Sequence, residues 1–297
     1  MKISVGFIGL GMMGTPMATR LQKAGFLLAV HNRTKKKASS LVEEGATWCD
    51  SPKEVTEKSE IVFSMLSNSE ALSECALGSH GVLRGVRKGS VHVDMSTVSP
   101  AITKELGKRY RDAGCFFLHS PVLGSVPQAT DGSLLLFVGG NEGGFLRAEP
   151  SLKILGNRIW RFENPEQASH MKLLCNMFIA GMGTTLAQAL VFAEKANVDP
   201  HILLDVLNQS ALNAPMYQTK GKSMLDRNFA PRFFVEHMLK DLNLMIQAGK
   251  ELDVALPSTE VAQRLFSEAA EAGFSKEDYS AVIKVLERRA GIEVGKK

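Results

Sequence analysis

Apolar and polar positions follow different rhythms in the two halves of the chain. In the first half, short apolar runs at residues 3–8, 26–31, 61–66, 90–94, 115–118 and 133–138 read as strands. Residues 16–24, 35–44 and 100–113 carry helical spacing, with Gly45 and Gly114 as stop signals for the last two. Strand and helix alternating at this interval predict an α/β domain built on a parallel, doubly wound sheet. The strand signal ends at about residue 162. Residues 167–197 then form one long, mostly apolar segment. Residues 200–209, 236–252, 258–272 and 276–289 follow with 3.6-residue spacing, punctuated by Pro215, Pro231, Pro257 and Gly273. An all-α domain is expected there. The predicted division lies at Asn164-Pro165, giving residues 1–163 and 164–297, with Gly295-Lys296-Lys297 as a frayed tail.

Composition narrows this picture without redirecting it. Over 297 residues, 44% are hydrophobic and 22% charged, an ordinary balance for a globular protein. Thirty-five Lys and Arg against 31 Asp and Glu leave a formal charge of +4, with no long basic run, so nucleic acid is not an expected partner. Cys49, Cys75, Cys115 and Cys175 form no paired framework, which points to a reducing, cytoplasmic setting. The seven His lack metal-ligand spacing, so no metal is expected. The uncharged stretch 3–19 after Lys2 superficially resembles a signal peptide, but Gly6, Gly9, Gly11, Gly14 and Pro16 would break a continuous apolar helix. Residues 178–193 are uncharged, yet short for a bilayer and interrupted by Thr184, Thr185 and Gln188, so no membrane association is expected.

Gly9-Leu10-Gly11-Met12-Met13-Gly14 is a GxGxxG segment placed directly after the first strand and opening the first helix. In that context it is the dinucleotide fingerprint of a Rossmann domain. Gly9 serves the tight turn, Gly11 the approach of the pyrophosphate, and Gly14 the close packing of helix on strand. At the end of the second strand, where an NAD site carries an acid for the ribose hydroxyl, the chain reads His31-Asn32-Arg33-Thr34. Arg33 can pair with a 2′-phosphate, with Asn32 and Thr34 as further donors, so NADP(H) is the expected cofactor. The densest basic cluster, Arg33 with Lys35, Lys36 and Lys37, would otherwise be an ordinary basic helix start, with cations opposing the helix dipole.

The chain resembles the β-hydroxyacid dehydrogenases along nearly its whole length. The resemblance is carried by the segment from Gly9 to Ala18, by Asn32-Arg33-Thr34, and by Asp94-Met95-Ser96-Thr97-Val98-Ser99-Pro100. It continues through Met171-Lys172-Leu173-Leu174-Cys175-Asn176 and Lys240-Asp241-Leu242. The stretch from Asp226 to Phe233, followed by His237 to Asp241, looks most like the glyoxylate and succinic semialdehyde reductase branch. The resemblance implies an NADPH-dependent oxidoreductase acting reversibly on a small aldehyde, keto acid or hydroxy acid. The long apolar segment after Lys172 suggests helices burying surface across subunits, in a homodimer or homotetramer. Lys172 falls on the family's catalytic lysine and Asn176 on its partner. Spacing alone places the two on one helix face and leaves Lys172 one surface lysine among many. Thr97 and Lys240 are implied cofactor contacts, and Met65 and Leu66, at the end of the strand at 61–66, are grouped with them. Ser96, Leu123, Gly124, Ser125 and Phe233 are implied at the substrate, and Asp241 as a structural partner.

The chain also departs from the family pattern. The substrate loop, usually Pro-Val-Ser-Gly-Gly, reads Pro121-Val122-Leu123-Gly124-Ser125, so a hydroxyl is missing at Leu123 and Ser125 is expected to compensate. His119 stands where many members have Asp. Glu166-Gln167-Ala168-Ser169 replaces the glycines before the catalytic helix. A 3-hydroxyisobutyrate-type dehydrogenase, an imine reductase and a cofactor-binding assembly module without chemistry are the competing readings. The presence of Lys172 favours a dehydrogenase over the last two.

Overall fold

The structure, a computed structural model, describes residues 3–295; Lys2 and the tail residues Lys296 and Lys297 lie outside the described residues. Gly295, in the expected tail, donates its N–H to Glu194 Oε2 at 3.2 Å. The chain forms two compact units, one ending at Lys172 and the other beginning at Leu173.

The first unit opens with β1 (Ser4–Ile8), α1 (Gly14–Lys23), β2 (Leu27–His31), α2 (Ser39–Glu43), β3 (Thr47–Trp48), α3 (Pro52–Glu57) and β4 (Ile61–Ser64). It continues with α4 (Ser69–Leu77), β5 (Val91–Asp94), α5 (Pro100–Asp112), β6 (Phe116–His119), β7 (Val122–Leu123) and α6 (Val126–Asp131). It closes with β8 (Leu134–Gly140), α7 (Glu142–Leu155) and β9 (Gly156–Phe162) before α8 (Pro165–Lys195) begins. Among the described residues, nine strands make one sheet in the order β3-β2-β1-β4-β5-β6-β8-β7, with β9 also paired to β8. The first six are parallel, and their 3-2-1-4-5-6 order is that of a doubly wound dinucleotide domain. β8 runs antiparallel to β6 and β7, an extension the sequence pattern does not announce.

Both sheet faces are covered, as a parallel sheet requires. Val91 and Val93 of β5 point into a core with Val5, Phe7, Phe63, Met17 and Leu152. Val62 and Phe117 face the opposite core with Leu106 and Tyr110 of α5. Helix starts are set by their caps: Ser51, Asn68 and Ser99 side chains accept the N–H of Glu54, Ala71 and Ile102, opening α3, α4 and α5. Asn141 does the same for α7, which tolerates Gly143, Gly144 and an internal Pro150 and therefore shows little helical signal in sequence. The helix expected at 35–44 is instead a short 3-10 turn at Lys35–Ala38 followed by the five-residue α2. The macrodipole argument for the basic cluster lapses with it, because so short a segment sums few peptide dipoles.

The second unit holds the rest of α8 and then α9 (Pro200–Gln209), α10 (Pro215–Leu225), α11 (Val235–Glu251), α12 (Pro257–Ala269) and α13 (Ile283–Ala290). Its core joins Leu186 and Leu190 of α8 to Met238, Leu242, Phe266 and Ile283. α8 is long and apolar enough to cross a membrane by length and composition, and its buried positions include Ala180, Leu186, Ala187 and Leu190 in that core. The helix expected at 276–289 starts late. Asp278 accepts the Ser280 N–H at 3.1 Å and opens a 3-10 turn at Tyr279–Val282 that leads into α13.

Candidate active site

β1 hands its hydrogen-bond ladder straight to the glycine loop: the Gly9 N–H donates to His31 O at 3.0 Å. Gly9 has φ +95°, and a Cβ there would lie 2.2 Å from Met65 O. A Cβ on Gly14 would lie 1.9 Å from Gly9 O. The fold itself therefore demands these two glycines. Gly11 differs: it is exposed, and a Cβ would meet nothing within 4 Å. No packing in the protein calls for its glycine, and the open space leaves room for close approach of a pyrophosphate to the N-terminal N–H groups of α1. Leu10 is a support rather than a contact, because its side chain is buried and its N–H donates to Asn32 Oδ1 at 2.9 Å. Met12 is exposed, and Met13 is half-buried against the first core.

Asn32 is likewise committed. Besides holding Leu10, it donates one Nδ2 N–H to Thr34 O at 2.9 Å, so it ties the glycine loop to the end of β2 and keeps one N–H as a donor. Arg33 and Thr34 are exposed beside it, and Lys35 lies over the Trp48 ring at 5.2 Å. No carboxylate occupies the 32–34 loop.

The ends of β4, β5 and β6 carry one row of side chains, since Ser64 pairs in register with Asp94 and Asp94 with His119. All three are fully buried. Asp94 Oδ1 accepts the hydroxyls of Ser64 and Ser96, each at 2.7 Å, and Oδ2 accepts the Ser96 N–H at 3.3 Å. His119 Nδ1 lies 3.2 Å from Oδ2. One strand position back, His92 Nε2 meets Ser64 Oγ at 2.8 Å and Nδ1 meets the Tyr110 hydroxyl at 2.7 Å. Burial pulls the His92 imidazole down to about 4, against a smaller upward push from Asp94. Burial raises Asp94, but His119, Ser64 and His92 together outweigh it and hold the carboxyl below its ordinary value. Ser96 is therefore not a substrate contact: its hydroxyl donates to Asp94 and accepts the Leu66 N–H at 2.8 Å. Met65, Leu66 and Thr97, on the loops this row supports, are half-buried.

The substrate-loop expectation for Ser125 is narrowed. Ser125 is the N-cap of α6, in a capping box with Gln128, and its N–H donates to Gln128 Oε1 at 2.9 Å. The cap fixes the direction of its hydroxyl oxygen and occupies its backbone N–H, leaving the O–H as its remaining donor. The Ser-x-x-Gln spacing in the sequence was the available signal. Leu123 is half-buried, and Gly124 is exposed with φ +140°.

On α8, Lys172 and Asn176 are both buried, at 8% and 1% exposure. Within the second unit Asn176 Nδ2 donates to Asp241 Oδ2 at 2.6 Å, and Lys240 pairs with Asp241 Oδ1 at 2.8 Å. Asp241 thus links the two polar residues, the structural role the sequence implied. Phe233 sits half-buried with its ring edge-on to Tyr279, and its N–H donates to Asp278 Oδ2 at 3.3 Å. Burial raises Asp278, but the charge of Lys220, bonded at 2.8 and 2.9 Å, outweighs this and keeps its carboxyl below the usual range. Ser64, His92, Tyr110, Lys220 and Asp278 were not singled out in sequence. Each is an isolated polar residue whose partner is 18 to 58 positions away. Among the described residues no group of three His, Cys, Asp or Glu forms a metal-binding cluster.

Two family models cover the chain. The NAD-binding domain of 6-phosphogluconate dehydrogenase matches residues 4–163, and the NAD-binding domain of NADP-dependent 3-hydroxyisobutyrate dehydrogenase matches residues 167–286. Glyoxylate/succinic semialdehyde reductase 2, chloroplastic, of Arabidopsis thaliana is 37% identical over 96% of this chain and 79% of its own length. The 2-hydroxy-3-oxopropionate reductase of Escherichia coli is 34% identical over 97% of this chain and 98% of its own. A solved structure of Mycobacterium tuberculosis 3-hydroxyisobutyrate dehydrogenase superposes with a TM-score of 0.89 at 28% identity, covering 96% and 99% of the two chains. The glycine cradle, the buried lysine and these likenesses agree: the chain belongs to the β-hydroxyacid dehydrogenase family of NAD(P)-dependent oxidoreductases.

Proposed function

We propose that the protein uses NADPH to reduce a small aldehyde or keto acid of the glyoxylate or succinic semialdehyde type to the hydroxy acid, reversibly. The observation that carries this reading is the buried Lys172–Asn176 pair, four residues apart on α8, with the Asn176 amide fixed by Asp241. The Lys172 ammonium donates a hydrogen bond to the substrate carbonyl, polarises it, and gives its proton to the oxygen as negative charge develops there. The Asn176 amide, held by its Nδ2 bond to Asp241, orients the substrate oxygen. Bound nicotinamide supplies the hydride. Lys172 then recovers its proton from solvent, and the same groups run the reverse oxidation.

The preference for NADPH rests on the acid-free turn after β2 and on exposed Arg33, whose guanidinium matches a 2′-phosphate. The expected Lys240 and Thr97 cofactor contacts belong to this reading. Leu123 favours a second reading, a 3-hydroxyisobutyrate-type substrate, because an apolar side chain in the substrate loop suits its branched methyl group, the carboxylate being common to both substrate types. A panel of small aldehydes, keto acids and hydroxy acids, assayed with NADPH and NADH, separates these. Lys172→Ala is expected to lower kcat about 10²–10⁴-fold with NADPH affinity little changed. Near-normal turnover would return the protein to a cofactor-binding module without chemistry.

The reading includes a homodimer or homotetramer. Leu174, Phe178 and Phe192 are 50%, 67% and 76% exposed along α8, a density of apolar surface that suits burial against a second copy. Light scattering on the wild type and Phe178→Asp tests it. A cytoplasmic location is supported by Cys49, Cys75, Cys115 and Cys175 all being free thiols.

A further inference from the structure

The row Ser64–Asp94–His119 lies beneath the three loops at the carboxyl ends of β4, β5 and β6. In a 3-2-1-4-5-6 sheet, β1 and β2 hold one nucleotide of the cofactor and the β4–β6 half receives the other. The glycine loop and Arg33 place the adenosine half on β1 and β2, so the nicotinamide half falls to the loops at Met65–Leu66 and Ser96–Thr97.

The hydrogen bonds of the row have a direction. A carboxylate only accepts, so Ser64 donates its proton to Asp94 and takes one from His92 Nε2. His92, neutral at physiological pH, then accepts at Nδ1 from the Tyr110 hydroxyl. The chain Tyr110–His92–Ser64 thus converges on a single buried charge. Ser96 carries that charge's hold onward, with one hydroxyl that donates to Asp94 and accepts the backbone N–H of Leu66. His119 Nδ1 faces Asp94 Oδ2 at 3.2 Å, off the line of a well-directed hydrogen bond, and Nε2 finds no hydrogen-bonding partner among the described residues. Its ring thus makes one polar contact, and that contact is Asp94.

We propose that Asp94 and His119 form a positioning pair for the oxidoreductase reaction. Asp94 anchors, through Ser96, the two loops that frame the nicotinamide, and His119 supplies the donor that fixes the second carboxylate oxygen. Neither residue touches the reacting atoms. A buried carboxylate is stable only when its lone pairs are occupied, so loss of the His119 donor lets the carboxylate rotate and loosens the Leu66 N–H. The inference rests on the cradle being a dinucleotide site, and a test that includes the ligand-free protein keeps the two separable.

The experiment compares His119→Leu, which keeps bulk without a donor, with His119→Asn, whose Nδ2 can take the place of Nδ1. Full-length protein is used. Three quantities are read: deuterium exchange of the 60–70 and 94–100 segments without cofactor, NADPH affinity by fluorescence, and kcat. His119→Leu is expected to speed exchange at Leu66 and lower kcat by about tenfold, the equivalent of one hydrogen bond to a charge. NADPH affinity is set by the pyrophosphate and 2′-phosphate contacts elsewhere, so it should move less than about threefold. His119→Asn should restore all three. Where His119→Leu does not fold, Ser96→Ala removes the link between Asp94 and Leu66 and should give the same pattern. Normal exchange and kcat in the folded variant despite a lower melting temperature would show a merely structural role and overturn the proposal. So would an Asn variant as impaired as the Leu variant. Loss of NADPH binding in the wild type would instead overturn the dinucleotide reading.

Discussion

Acidification should unfold the first unit through His92 before it acts on the carboxylates. The imidazole is enclosed by Ser64, Tyr110 and the Phe117 ring, and burial pulls it from 6.5 to about 4. In the unfolded chain it titrates near its ordinary value. Between pH 6.5 and 4 the unfolded state therefore holds a proton that the folded state refuses, and stability falls as pH falls through that window. At 1.36 kcal/mol per pH unit, the full cost is about 3 kcal/mol, of which about 2 to 3 kcal/mol is lost by pH 4.5. Asp94 acts in a lower window. Its carboxyl is held below the usual value, so its contribution is present above the ordinary carboxylate range and disappears as pH falls through its depressed value. Trp48 and Trp160 both lie in the first unit, so tryptophan fluorescence during urea unfolding reports that unit alone. Wild type and His92→Gln are compared at pH 7, 5.5 and 4.5; carboxylates and exposed His common to both cancel in the difference. The Gln variant should be weaker at pH 7, yet lose about 2 kcal/mol less than wild type on going to pH 4.5. Parallel losses in the two proteins, or an NMR titration of His92 near 6.5, would refute the assignment.

Three other outcomes are expected. Arg33→Asp should weaken NADPH about 10- to 100-fold while leaving NADH nearly unaffected, read by cofactor fluorescence; equal losses would remove Arg33 from the 2′-phosphate site. Gly11→Val should abolish cofactor binding with an unchanged melting curve, because a Cβ there meets no protein atom; an unfolded variant would show that the space is not a ligand's. Leu123→Ser restores a hydroxyl to the substrate loop and should lower KM for carboxylate-bearing substrates by about tenfold, one hydrogen bond's worth. No change would mean the loop does not face the carboxylate.

Local signals carried the fold a long way. The GxGxxG segment, the alternating runs of the first half and the 3.6-residue spacing of the second each reflect neighbours within a turn or a strand, and most of the expected elements formed near their places, the helices at 35–44 and 276–289 being shorter than expected. What escaped was long-range or masked. The pairing of β8 antiparallel to β6 depends on register between Leu118 and Gly140, and no short window contains both. α7 was hidden by Gly143, Gly144 and Pro150, whose helix-breaking character is overridden by the Asn141 cap and by burial of Phe145, Ala148 and Leu152. For the site, identities were easier to read than roles. Ser96, Ser125, Asn32 and Leu10 were recognised as important, and in the structure each has a polar group bonded within the protein. Only the partners, which lie elsewhere in the chain, separate a group that binds a ligand from one that holds the binder in place.

The first unit ends inside a helix, and this governs how the chain can be divided. Glu163 is the last residue of the first matched family segment, and it looks like a natural place to cut. A fragment ending there would lack Ser169, whose hydroxyl donates at 2.6 Å to the buried carbonyl of Val98, just after Thr97. It would also lose Pro165, the residue nearest to Gly107 of α5. Recombination between relatives at that junction would accordingly join a nucleotide-binding half from one parent to a brace chosen by another. Exchanges that keep residues 1–172 from a single parent preserve the brace, and they are the ones expected to yield soluble chimaeras.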